Sequence, residues 1–186
     1  GRGAAVRSFV QAVDESGNPR FVTADIEYDA MGRVTKSGQP YLTSTRVVNA
    51  NQASNSWTTI AYDAFGRPYT MTTPDGAQIG TVFNGNIVTS SDQIGKKRRM
   101  ITDALGRLAS VIEDPDNLAY QTDYTYDLLG NLRKTEQGGA NGQHRYFMYD
   151  SLSRLIRMKN PEQGTYSGIT GTDPVTGNSA WAMSYG

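Results

Sequence analysis

The chain has 186 residues, enough for one ordinary domain, and 37% of them are apolar. Its 18 basic residues balance its 18 acidic ones, which removes any electrostatic case for a nucleic-acid partner or an anionic membrane surface. It has no cysteine, so disulfides, thiolate zinc sites and thiol catalysis are excluded, and no apolar run approaches the 18 residues a membrane-inserted helix requires.

Taken in order, the chain shows one pattern again and again: Asp, two residues, Gly, then Arg, Asn or Lys. The first copy is Asp14-Glu15-Ser16-Gly17-Asn18. Next come Tyr28-Asp29-Ala30-Met31-Gly32-Arg33 and Tyr62-Asp63-Ala64-Phe65-Gly66-Arg67. A looser Asp92-Gln93-Ile94-Gly95-Lys96 follows, then Thr102-Asp103-Ala104-Leu105-Gly106-Arg107 and Tyr126-Asp127-Leu128-Leu129-Gly130-Asn131. Tyr149-Asp150-Ser151-Leu152-Ser153-Arg154 closes the series with Ser in place of Gly. The Asp-to-Asp intervals are 15, 34, 29, 11, 24 and 23 residues. Repetition of this kind marks a repeat architecture.

Asp at the first position and Gly at the fourth suit a type I turn whose fourth residue enters the left-handed region, the hairpin turn with a G1 bulge. In that geometry Asp29 opposes Arg33, Asp63 opposes Arg67 and Asp103 opposes Arg107. One step out, Tyr28 opposes Val34, Tyr62 opposes Pro68, Tyr126 opposes Leu132 and Tyr149 opposes Leu155, aromatic–aliphatic pairs that stabilise a sheet. The second turn residue is large and apolar in six copies: Met31, Phe65, Ile94, Leu105, Leu129 and Leu152. Free tips favour small polar residues, so these are expected to pack against equivalent tips of neighbouring repeats in a buried row.

Between the turns the chain alternates strands with turn punctuation. Trp57–Tyr62 leads into one motif and Tyr69–Thr73 leaves it. Pro74-Asp75-Gly76 turns the chain into Ala77–Phe83, and Asn84-Gly85 signals a two-residue hairpin returning through Ile87–Thr89. The 11-residue step from Asp92 to Asp103 fits one short strand. Residues 104–112 read as turn plus strand rather than helix, because Gly106 interrupts them. Thr, Tyr and Val suit a sheet with one dry and one wet face. Gln137–Gly142 reads as a flexible strand connection, and residues 166–186 as a Gly-rich tail or truncated next repeat. With Gly1-Arg2 at one end and Ser184-Tyr185-Gly186 at the other, both in mid-pattern, residues 1–165 read as a stretch of a longer array.

The repeated Tyr-Asp-x-x-Gly-Arg hairpin resembles that of RHS/YD-repeat proteins across roughly residues 10–165. Members include bacterial polymorphic toxins, the B and C components of insecticidal toxin complexes, wall-associated proteins and teneurins. The resemblance implies an all-β array of stacked antiparallel hairpins, part of a spiralling β-sheet shell or solenoid. It further implies a secreted or cell-surface protein that encloses or presents a C-terminal toxin domain. Implied partners are flanking repeats of the same polypeptide and an encapsulated toxin, with end-to-end self-association through open strand edges. In the family's toxin carriers the array ends in a self-cleaving core. Asp173-Pro174-Val175-Thr176-Gly177 resembles an Asp-Pro-x-x-Gly element near that core, but nothing after it continues the match, and it reads as a plain turn.

The residues point to no catalytic, cofactor-binding or metal-ligating set. His144 is the only histidine, which rules out a multi-His metal site and leaves one candidate base for any Ser-His-Asp triad, and it reads as a strand-edge residue. Lys96-Lys97-Arg98-Arg99 reads as a solvated strand, since alternate side chains take opposite faces. Glu113, Asp114 and Asp116 lack the Gly-centred loop of a calcium site. Gly138–Gly142 lacks the Lys-Ser/Thr of a phosphate loop. A binding module is the second reading, with Trp57, Tyr69 and Trp181 exposed on the outer face to engage glycans or protein. An enzyme on a β-propeller is the third, and intervals from 11 to 34 residues argue against regular blades.

Overall fold

The computed structural model describes residues 6–43, 56–138 and 142–185. Among them the structure is all-β, and every strand register is antiparallel. The chain divides into two compact units, one holding residues up to Val82 with Ser91–Lys96, the other Phe83–Ser90 with Lys97 onward.

The first unit contains β1 (Val6–Val13), β2 (Pro19–Tyr28), β3 (Val34–Gly38), β4 (Tyr41–Thr43), β5 (Trp57–Tyr62), β6 (Pro68–Thr72) and the start of β7 (Gln78–Asn84). Their order is β1-β2-β3-β5-β6-β7, and β4 pairs with β2 beyond the end of β3. The second unit contains β8 (Ile87–Ser91), β9 (Lys97–Thr102), β10 (Leu108–Glu113), β11 (Tyr120–Tyr126), β12 (Leu132–Gln137), β13 (Gln143–Tyr149), β14 (Leu155–Lys159) and β15 (Met183–Ser184). These follow one another in chain order. Connections of five or six residues force this meander from β8 to β14, because so short a link can only join strands that are antiparallel neighbours, and residues 160–182 lead to β15.

The expected turns and pairs form. Gly106 N–H donates to Asp103 O at 3.0 Å and Asp103 N–H to Arg107 O at 2.8 Å, and Gly106 has φ +78°. That is a type I turn closed by a G1 bulge. Tyr28 faces Val34, Tyr62 faces Pro68, Tyr126 faces Leu132 and Tyr149 faces Leu155. One step further out, each of these pairs has a register shift that leaves an extra residue on the returning strand. Thr73-Pro74-Asp75-Gly76-Ala77 adopts the same five-residue turn, with Thr73 in the Asp position. Residues 103–107 and β10 replace any helix over 104–112.

Three expectations need correction. The turn at Asn84-Gly85 lies one residue later: Asn84 ends β7 and Gly85-Asn86 form the loop, with Gly85 at φ +59°, as a II′ turn demands of its first central residue. The apolar tips are not buried against one another. Phe65 is 85% exposed and Leu129, the most covered of the six, is 69%. Each hairpin adds two strands, so adjacent tips lie roughly 10 Å apart along the sheet margin, too far for side chains to pack. Nor is one face dry. β5, β8 and β14 are half-buried at every position, and Val111 and Trp181 are the only fully buried apolar residues among those described. There is no second sheet among them to cover either face.

Candidate functional site

Each motif Asp organises its own turn. Asp103 Oδ1 accepts the N–H groups of Leu105 and Arg107, both at 2.9 Å, and its Oδ2 accepts Arg107 Nε at 2.7 Å. Asp29 and Asp150 repeat this geometry with Met31 and Arg33, and with Leu152 and Arg154. The Arg107 backbone N–H, its guanidinium and the Leu105 N–H hold the Asp103 carboxyl below the usual carboxylate range, and the same groups act on Asp29 and Asp150. A carboxylate held in three such bonds and shifted down by them is a turn clamp, poorly suited to take up a proton near neutral pH.

The Tyr and the Arg act between hairpins. Tyr62 Oη donates to the carbonyl of Val34 in the preceding hairpin at 2.8 Å, and Arg33 lies over the Tyr62 ring at 4.5 Å. In the second unit Tyr126 Oη donates to Leu108 O at 2.9 Å. There Arg107 lies over the Tyr126 ring at 4.8 Å and donates from Nη1 to Asp127 O at 3.1 Å. Burial pushes the phenols of Tyr126 and Tyr149 up. Arg33 and Arg107 thus clamp their own Asp and stack on the next Tyr, a cation–π contact of about 0.5–1 kcal/mol where solvent reaches it, whereas Arg67 lies over Phe65 of its own turn at 5.2 Å. Where the motif ends in Asn131, the missing guanidinium comes from Arg133, which sits 5.8 Å from the Tyr149 ring centre. Asn131 instead reaches the hydroxyl of Ser153 at 3.1 Å.

Strand direction sorts the turns. In the first unit the turns at 29–33 and 63–67 share one margin, and those at 14–18 and 73–77 take the other. In the second unit 103–107, 127–131 and 150–154 share a margin opposite the 114–119 connection. Within each unit, therefore, the copies that begin Tyr-Asp share one margin, joined in the second unit by the Thr102-Asp103 copy.

The tail covers part of the second unit. Trp181 is fully buried, donating from Nε1 to Gly171 O at 2.7 Å, while its own carbonyl accepts Tyr166 N–H at 2.8 Å. Residues 173–178 form a loop closed by Asp173 N–H to Asn178 O at 2.8 Å. Asp173, with no exposed surface, forms an ion pair with Arg133, itself 4% exposed, whose Nη1 also lies 3.5 Å from Asp127 Oδ2. Burial pushes the Asp173 carboxyl up, but Arg133, the Thr176 hydroxyl and the Val175 N–H outweigh it and hold the group below its ordinary value. Between this loop and the motif margin lies a recess of about 320 Å³, lined by Leu128, Leu129, Met148, Tyr149, Pro174 and Val175 among others.

No family model and no curated protein matches the chain. Solved structures do. TcdB2-TccC3 superposes with a TM-score of 0.61 and 18% identity, covering 89% of this chain and 10% of that one. The Photorhabdus luminescens Tc holotoxin pore gives 0.64 and 18%, covering 86% and 10%. TcdB2-TccC3 without its hypervariable C-terminal region gives 0.57 and 16%, again covering 86% and 10%. The chain has the fold of these toxin-complex chains. It spans about a tenth of their length.

Within this toxin-complex fold the remaining candidate residues scatter. His144 stacks on Tyr146, with ring centres 6.1 Å apart, and lies 3.9 Å from Glu136. Lys97 pairs with Asp116 at 2.5 Å and Arg98 with Glu113 at 2.9 Å, so the basic run and the acidic turn satisfy each other. Asp114, at φ +48°, closes its own loop by accepting the N–H groups of Asn117 and Ala119. No group of three His, Cys, Asp or Glu side chains converges among the described residues. Of the glycine-rich stretch, Gly139–Asn141 lie outside the described residues.

The expected exposed aromatics separate. Tyr69 is exposed and Trp57 is half-buried beneath Lys36, whereas Trp181 is buried because the tail folds over it. Tyr69 stands at an apolar recess of about 250 Å³ with Ile60, Tyr62, Met71 and Ile79. The Arg133–Asp173 pair went unread in the sequence. Its members lie 40 residues apart, and only the Asp-Pro dipeptide hinted that position 173 was special.

Proposed function

We propose that this chain is a non-catalytic wall segment of an RHS-type shell in a secreted or cell-surface bacterial protein, enclosing or presenting a C-terminal toxin domain. The observation that carries the reading is the superposition of most of this chain, as an antiparallel hairpin array, on about a tenth of the toxin-complex chains. The motif chemistry supports it: the motif Asp residues clamp their own turns, and Tyr62, Tyr126, Arg33 and Arg107 join one hairpin to the next, which is what a wall requires. In this reading residues 1–165 are array and residues 166–186 lead into the next stretch. Flanking repeats of the same polypeptide are the immediate partners. Electron microscopy of the intact protein that carries this segment tests the reading. A hollow shell with density inside is the expected image, and an open ribbon or an empty fibre overturns it.

One observation favours a second reading, a glycan- or protein-binding surface: exposed Tyr69 beside the apolar recess on β5, β6 and β7. Tyr69→Ala should abolish retention on a glycan or partner array if that reading holds, and leave the electron-microscopic shell unchanged.

A further inference from the structure

We infer that Arg157 and Lys159, beside the loop of residues 165–171, form a binding site for a doubly charged oxyanion of the phosphate or sulfate class. The second unit holds ten Lys and Arg residues, and seven of them pair with a carboxylate. An eighth, Arg99, acts after Lys97 in holding the Asp116 carboxyl below its ordinary value. Arg157 and Lys159 are left, both half-buried on β14. All 18 carboxylate side chains of the chain fall within the described residues, and none of them pairs with either cation. Two such cations without a counter-charge stand out in a chain whose charges otherwise balance.

The two side chains share a face of β14, because alternate residues of a strand point the same way. Their Cα atoms stand about 6.6 Å apart, a gap that one tetrahedral anion bridges between side chains this long. The register sets Met148 and Ser184 opposite Arg157, and Tyr146 opposite Lys159. Arg157 is fixed in place. Its Nη1 donates to Met148 Sδ at 3.3 Å, and its Nε is buried with no partner among the described residues. A thioether is a weak acceptor, and the other four of the guanidinium's five N–H groups find no acceptor among those residues. Gly171 closes over the group: a Cβ there would stand 2.5 Å from Nη1 and 3.3 Å from Cζ, so glycine alone leaves the guanidinium its room. Lys159 Nζ donates to Thr165 Oγ1 at 3.2 Å and keeps two further N–H groups to offer.

One loop thus holds both cations, Thr165 at one end and Gly171 at the other. The loop is itself anchored, with Tyr166 N–H donating to Trp181 O at 2.8 Å and the Trp181 indole to Gly171 O at 2.7 Å. Donors fixed in advance remove an ordering cost from binding. Two positive charges match a dianion, and half-burial strengthens the attraction beyond that of a lysine in open water. Arg supplies a planar fork and Lys a point charge, a combination suited to the oxygens of a phosphate or sulfate. A lone carboxylate would leave one cation unmatched. The inference rests on side-chain pairing within the second unit and is independent of the toxin-shell reading.

Calorimetric titration of the native chain with inorganic phosphate, at mildly alkaline pH and fixed ionic strength, tests the site. A single saturable binding event is expected. Arg157→Gln and Lys159→Gln should each weaken it roughly tenfold or more, as the loss of a charge-assisted hydrogen bond predicts. Lys96→Gln, in the first unit, should leave it unchanged. Sulfate should compete with phosphate and acetate should not, and the tighter of the two dianions names the ligand. Lys159→Gln leaves the Met148 and Gly171 contacts of Arg157 untouched, so it remains decisive if Arg157→Gln fails to fold, with an unchanged circular dichroism spectrum as the check. No saturable binding, acetate bound as tightly as phosphate, or binding that survives either Gln variant with a native spectrum overturns the inference.

Discussion

Replacing Arg133 with Met tests the buried pair that ties the tail to the second unit. Breaking a buried ion pair by removing one partner destabilises by roughly 3–5 kcal/mol, because the other charge is left uncompensated. Asp173 would keep the Thr176 hydroxyl and the N–H groups of Val175 and Thr176, so a loss of about 3 kcal/mol at neutral pH is expected, at the low end of that range. The pH dependence should change sign. In the native chain Asp173 titrates lower folded than unfolded, so its stabilisation is present above the unfolded value of about 3.9 and lost as pH falls below it. Without Arg133, burial dominates and the folded value rises above the unfolded one. Stability is then greatest in acid and declines as pH climbs through the folded value. Urea unfolding followed by tryptophan fluorescence in a Trp57→Phe background reports on buried Trp181 alone. At about pH 5 the Arg133→Met protein should recover part of what it loses at about pH 7. The double variant Arg133→Met/Asp173→Leu should return to within about 1 kcal/mol of the parent. A loss below about 1 kcal/mol for Arg133→Met, or acid behaviour parallel to the native chain, refutes the reasoning.

Gly106→Val should destabilise the second unit by at least about 1–2 kcal/mol, because a β-branched residue resists positive φ even with open space around it, and an unchanged melt would rule out the G1-bulge turn. Ser153 already holds φ +61°, so Ser153→Gly should raise the melting point, by up to about 1 kcal/mol of stability, with the lost contact to Asn131 tempering the gain. Tyr126→Phe removes the bond to Leu108 O and should lose about 1 kcal/mol in urea titrations; no change would mean that water replaces the phenol. The Asp29, Asp103 and Asp150 clamps contribute stability above about pH 3.9 that disappears as pH falls through their lower folded values. Melting temperatures should therefore hold to about pH 4 and then drop, and a flat profile down to about pH 2.5 would contradict the clamps.

What the sequence disclosed was set by distance along the chain. The turn and its closing pairs lie within seven residues, from Tyr28 to Val34, and stereochemistry specifies them locally. The Tyr126–Leu108 bond spans 18 residues and crosses from one hairpin to the next, so it required the sheet order and the side on which each turn lies. The apolar tips were misjudged because neighbouring hairpins meet through their strands, which keeps tips a full hairpin width apart. Trp181 was misplaced on an exposed face because residues 166–186 have no periodicity from which a direction can be read. Of the site, the Asp clamps were legible and the inter-hairpin Arg–Tyr stacks were not. A guanidinium that serves two hairpins looks, in one motif, like a partner for its own Asp.

That shared guanidinium has a consequence for how such an array can change length. A Tyr finds the Arg before it only if both turns lie on the same margin, so an even number of strands must separate them. Adding or deleting one strand would carry every later motif to the far side and sever the Arg–Tyr contact that spans the change, while the later motifs keep theirs with one another. A whole hairpin that brings its own Tyr and Arg would instead restore the contact on both of its sides. The array therefore has something like a reading frame, with the hairpin as its unit, and it can lengthen or shorten only in whole hairpins.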